Sequence, residues 1–264
     1  MKRFFLGLAA IMALAVGTTG TASAAAGFIA LEGSDATALH QDPGYSPQMF
    51  QYLQGASGLP VLIYGSVTIL NPGSATLAYT TNLGSVTLSD YSGIYIEAPG
   101  GCCTADNTAL NGFGTAVNTF IANGGNLSIE NYIGGAYDGV VPGGANPAGT
   151  IAPTGCSDGE RVNANGLAKG FTQPAIDGCW SHQGYQNSYW LAQGYISLYD
   201  SATDATDLAS QGGGTGYTFG DGTQDGSSLL AIGGTLGTAV PEPVSLALLG
   251  VGLAGLGFAR RRRA

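Results

Sequence analysis

The stretch "FIANGGNLSIENYIGG", Phe120 to Gly135, decides the architecture. Its first residues end a helical pattern that begins near Asp106, and Asn123-Gly124-Gly125 supplies the stop that a helix C-terminus favours. The pattern then changes period, and "NLSIENYIGG" reads as a buried strand. Immediately before the helix, "YSGIYIEAPGG" (Tyr91–Gly101) is another apolar strand. A strand, a helix of about four turns and a second strand make one βαβ unit, which demands a parallel pair.

Working outward, the same alternation recurs. "GFIALEG" (Gly27–Gly33) and "LPVLIYG" (Leu59–Gly65) are core strands, and Ser46-Pro47 opens a helix running to Gln54, with proline suited to its first turn. Residues 67–88 alternate and carry turn signals, predicting an excursion or hairpin. Residues 134–179 are rich in Gly, Pro and Asn and read as a long loop. Beyond it we expect a helix over Tyr185–Gln193, a strand over Tyr195–Tyr199 and a last strand over Ser227–Ile232. The expected fold class is α/β: a single three-layer domain with a mostly parallel, flavodoxin-like sheet.

The two ends read differently from this middle. Met1-Lys2-Arg3, the apolar run Phe4–Val16 and the small residues Ala22-Ser23-Ala24 have the layout of a signal peptide over residues 1–24, cut by signal peptidase. A buried N-terminal helix is the bland alternative. At the other end, Val244–Ala259 is apolar and nearly long enough to cross a bilayer, and Arg260, Arg261, Arg262 and Arg263 would hold its end on the cytoplasmic side. The exported domain is then residues 25–239.

Of the eight basic residues only Arg161 and Lys169 lie between these ends, against sixteen of the seventeen acids, so the middle carries a formal charge of −14. Such a surface repels nucleic acid, whose binding rests on counterion release by lysine and arginine. It is suited to attracting divalent cations, calcium or magnesium. Four cysteines, Cys102, Cys103, Cys156 and Cys179, in an oxidising compartment predict two disulfides. A bond between the adjacent Cys102 and Cys103 would be strained, so each is expected to pair with one of the other two. A zinc site is the alternative, and the spacing for it is absent.

Residues 240–264 carry a more specific signal. Val240-Pro241-Glu242-Pro243, the apolar helix over 244–259 and the arginine cluster over 260–263 resemble the PEP-CTERM sorting signal of Gram-negative bacteria. That resemblance implies recognition by an exosortase, a membrane cysteine transpeptidase. It also implies anchorage in the inner membrane before processing, then release to the cell surface or extracellular matrix, with exopolysaccharide and biofilm as associates. A plain C-terminal anchor is the alternative, but it does not require Pro-Glu-Pro.

Within the domain one constellation repeats. Glu32, Glu97 and Glu130 each sit at the carboxyl end of a predicted core strand, where ligands of open parallel sheets bind. With strand order 2-1-3-4-5 they would cluster, joined by Asp35 and Asp200, and would need a cation or a shared proton to relieve their repulsion. The alternative is three solvated acids. His182 lies in the aromatic run "WSHQGYQNSYWLAQGYISLYDS", which fits either a sugar-stacking platform or ordinary core. "LSDYSGIYIEAPGG" followed by a helix ending "FIANGGNLSIENYIGG" is similar to the class I glutamine amidotransferase-like fold. The turn after the fourth strand, Glu130-Asn131-Tyr132-Ile133-Gly134, holds no cysteine or serine, so the resemblance implies fold and not activity. Three functions follow: an exported, non-catalytic binding or structural module, a glycan hydrolase using two of the glutamates, and a calcium-binding scaffold.

Overall fold

A computed structural model describes residues 27–34, 36–38, 40–97, 112–130, 140–144, 151–153, 159–173, 183–202 and 226–234. The chain begins with β1 (Ile29–Glu32), α1 (Ser46–Gln54), β2 (Val61–Tyr64), β3 (Leu77–Thr80), β4 (Gly93–Ile96), α2 (Gly114–Ala122) and β5 (Asn126–Glu130). It continues with β6 (Ile151–Pro153), β7 (Gly159–Val162), α3 (Ala164–Ala168), β8 (Gln183–Gln186), α4 (Asn187–Trp190), β9 (Ile196–Ala202) and β10 (Gly226–Ile232).

The strands form one sheet. In its first half β3, β2, β4, β5 and β1 lie side by side and parallel. In the second half β10 runs antiparallel to β1 and to β9, β9 pairs antiparallel with β7, and β8 joins β10 to β6. The sheet is therefore mixed, not mostly parallel. The βαβ logic holds only as far as β5; the later strands are linked by segments whose pairing partners are remote in sequence.

Period-two alternation divides the apolar side chains between the two faces. On one face Ala30, Val61, Ile63, Tyr95, Leu229 and Ala231 pack with Met49, Phe50 and Leu53 of α1. On the other, Ile29, Leu31, Ile94, Ile96, Leu127 and Ile129 pack with Val117, Phe120 and Ile121 of α2 and with Trp190 of α4. Helices thus cover both faces, giving the expected three layers. Each such large side chain contributes about 1.5–3 kcal/mol by leaving water.

Local chemistry sets the helix ends. Pro47 lies in the first turn of α1, and Asp42 accepts from the Ser46 and Tyr45 amides through its carbonyl. After α2, Gly124 adopts φ +91° and the Gly125 amide donates to the Phe120 carbonyl, the capping that Asn-Gly-Gly predicts.

Three elements depart from expectation. Over residues 67–88 the hairpin alternative fails and the excursion carries a strand of its own: β3 lies parallel to β2, with Val61 opposite Leu77. The region read as one loop holds β6, β7 and α3. The stretch expected as a helix over 185–193 starts as β8 and becomes helical only at Asn187, because Tyr185 pairs with Ser227 of β10. Asp35, His182, all four cysteines and both ends of the chain lie outside the described residues. Among those described, no helix is long and apolar enough to cross a membrane.

Candidate functional site

The carboxyl edge of the parallel half gathers the three predicted glutamates. Strand order is β2-β4-β5-β1, not the expected order with β1 beside β2, yet β4, β5 and β1 are still consecutive neighbours. Glu32 is the register partner of Glu130. The pairing of Ile96 with Ile129 puts Glu97 at the same level on the far side. Because Ala30 and Tyr95 face the α1 layer, alternation sends all three carboxyl side chains to that face.

None of the three is solvated: Glu32, Glu130 and Glu97 are 0 %, 1 % and 2 % exposed. Glu97 and Glu32 are each held by donors of their own. Glu97 Oε2 accepts from the amides of Ser66 and Val67, at 2.8 and 2.9 Å, in the turn that follows β2. That turn can approach because residue 65 is glycine; a Cβ there would lie 1.9 Å from Glu97 Oε2. Glu32 accepts from the Thr37 hydroxyl through Oε2, at 2.5 Å, and from the Ser128 hydroxyl of β5 through Oε1.

Burial dominates the electrostatics of Glu32. Loss of hydration pushes its pKa from 4.5 up to about 7, although the Ser128, Thr37 and Tyr45 hydroxyls oppose the rise. Tyr45, itself fully buried, is pushed well above the ordinary tyrosine range by desolvation and by the carboxylates of Glu32 and Glu160.

Glu160 is the member that sequence reasoning missed. It sits on β7, 3 % exposed, and its Oε2 accepts from the Ser228 hydroxyl at 2.7 Å. Ser228 in turn is tied to β1, since its carbonyl accepts from the Gly33 amide. A register shift between Ser227 and Leu229 places Ser228 and Leu229 in succession at this point. The antiparallel half therefore supplies a fourth buried carboxyl to a cluster begun by the parallel half. The only hint in sequence is an acid in "GERV", a segment with too little apolar alternation to read as a strand.

Asp200 does not join them. It lies on β9, where it accepts from Asn163 and Ser197 and stands 3.8 Å from Arg161. Among the described residues, no group of three His, Cys, Asp or Glu could hold a metal ion. The described aromatics of the 180–201 run are core: Trp190 is fully buried and meets Tyr185, Tyr189 and Tyr195 edge-on, with centroids 5.2–5.7 Å apart. They form no open stacking platform.

Chemically, this edge buries acids against hydroxyl and backbone-amide donors, and burial moves the Glu32 pKa to about 7. It gives a sugar chain no access to the acids. Comparison with known families finds one match, to the PEP-CTERM protein-sorting motif, over residues 239–263. No curated protein and no solved structure matches the chain. The motif marks the chain as exosortase-sorted, following a secreted route through a membrane-anchored stage.

Proposed function

We propose that this chain is an exported cell-surface or matrix protein whose middle, residues 25–239, is a non-catalytic binding or structural module associated with exopolysaccharide. The observation that carries the reading is the sorting motif over 239–263. In this reading signal peptidase removes residues 1–24, the apolar segment over 244–259 holds the chain in the inner membrane, and exosortase cuts near Pro241-Glu242-Pro243. Pro241 and Pro243 keep that backbone extended, which suits it to a processing enzyme. Two features support a non-catalytic middle: its strand-end acids are buried, and the turn after Glu130 bears no nucleophile in sequence.

Intact-mass analysis of the protein recovered from the surface of the producing cell tests this. The expected species lacks both ends. A surface form that retains Arg260–Arg263 overturns the sorting reading.

A further inference from the structure

At the edge of the sheet opposite the carboxyl cluster lies a groove of about 1010 Å³. The amino ends of β2, β4 and β5 close one side of it, and α2 and the segment over 83–92 form its walls. Its volume is at the upper limit of small-molecule sites, roughly 300–1,000 Å³, so it admits several units of a chain-like ligand.

The lining has an unusual charge pattern for so acidic a chain. None of the 22 described residues that line it is charged. Leu83, Val86, Leu88, Phe113 and Phe120 make an apolar floor, with Tyr91 half-buried among them. Ser89, Thr115 and Asn123 are exposed at the rim and offer hydroxyl and amide groups. Thr115 and Thr119 lie four residues apart, so they share a face of α2.

We infer that this groove binds an uncharged oligosaccharide. Three arguments select that class. A cationic ligand would need a carboxylate, and none is found among the described residues of the lining. An anionic glycan would meet the field of a middle carrying a formal charge of −14 with no lysine or arginine to receive it. An extended peptide would seek an open strand edge, whereas β2, β4 and β5 are interior strands paired on both sides. What remains is a neutral, hydroxyl-rich chain that lays its apolar ring faces on Tyr91 and Phe113 and its hydroxyls on the rim. The inference deepens the proposed exopolysaccharide association and rests on it for the source of the ligand.

The test is titration calorimetry of the full chain with cellohexaose, maltohexaose and laminarihexaose. Oligogalacturonate of the same length and an uncharged extended peptide serve as comparisons. At least one neutral hexasaccharide should bind saturably, with an affinity that changes less than about twofold between about 50 and 500 mM NaCl, because no ion pair is involved. Ala116→Glu and Thr119→Lys place charge in the groove from exposed positions of α2. Each should weaken binding at least about tenfold with an unchanged melting temperature. Three results overturn the inference: silence across all three neutral sugars by a chain that melts normally, binding indifferent to both variants, or tighter binding of galacturonate or peptide. Intact mass reports separately on sorting, so a correctly processed protein that ignores neutral sugars refutes the groove alone.

Discussion

Glu32→Gln isolates the proton stored at the carboxyl edge. In the folded chain Glu32 titrates near 7 against an ordinary 4.5, a difference of about 2.5 pKa units. At about 1.36 kcal/mol per unit this amounts to about 3 kcal/mol. Between pH 4.5 and 7 the native state holds this proton and the unfolded chain has released it. Native molecules then bind more protons than unfolded ones, and stability falls as pH rises. The contribution is neutral below about pH 4.5, reaches its full cost above about pH 7 and stays there. Glutamine keeps the shape, accepts from Ser128 and carries no charge, so the variant should lack this slope. Urea unfolding at pH steps from 4 to 8.5 measures it as the difference between native and variant chains, which removes contributions from the other acids. The expected outcome is a difference growing by about 3 kcal/mol in favour of Glu32→Gln as pH rises through the window. Parallel curves would refute the reasoning, and a difference growing in the opposite sense would show that Glu32 is stabilised as an anion.

Ser128→Ala removes a hydroxyl donor from Glu32 Oε1, so it should raise the Glu32 pKa further and cost about 2 kcal/mol above pH 7, less below it, in the same unfolding series. Gly65→Ala drives a methyl into Glu97 Oε2 and the turn that binds it, and should cost about 3 kcal/mol in urea unfolding with a normal α/β circular dichroism spectrum. Trp190→Ala empties the centre of three edge-on aromatic contacts and should cost about 3–5 kcal/mol, with loss of the near-ultraviolet dichroism of that cluster. Non-reducing peptide mapping should find Cys102 and Cys103 each bonded to Cys156 or Cys179; a Cys102–Cys103 peptide contradicts that pairing.

Legibility followed the reach of the signal. β1, β2, β4 and β5 are short apolar runs bounded by glycine or proline, and all four were readable because their burial is written in adjacent residues. Glutamate at three strand ends was readable for the same reason. Strand order was not, since the placement of β1 between β5 and β10 is decided by contacts about a hundred and two hundred residues away. β7 escaped because "GERV" buries its glutamate through Ser228, a partner 68 positions distant, rather than through apolar alternation. β8 escaped because "QGYQ" has one large apolar side chain and joins directly to a helix. The burial of the acids themselves was the opposite of the usual fate of carboxylates, and its cost is offset by the hydroxyls of Ser128, Thr37 and Ser228 and by the amides of Ser66 and Val67.

The position of β10 also has a mechanical meaning. Ile232 is paired with Ile29, so the last strand ends at the edge of the sheet where the first begins, the same edge that holds the groove. β10 is paired with β1 over Leu229–Ile232 and with β9 over Ser227–Ala231. During the membrane-anchored stage the chain is held from its C-terminal side, and tension then runs along the axis of this strand. Both ladders are then loaded in shear and must yield many hydrogen bonds together, whereas a strand at the rim would peel away one bond at a time. The groove lies at the end of β10 where such tension enters, and the carboxyl edge lies at the far, unloaded end.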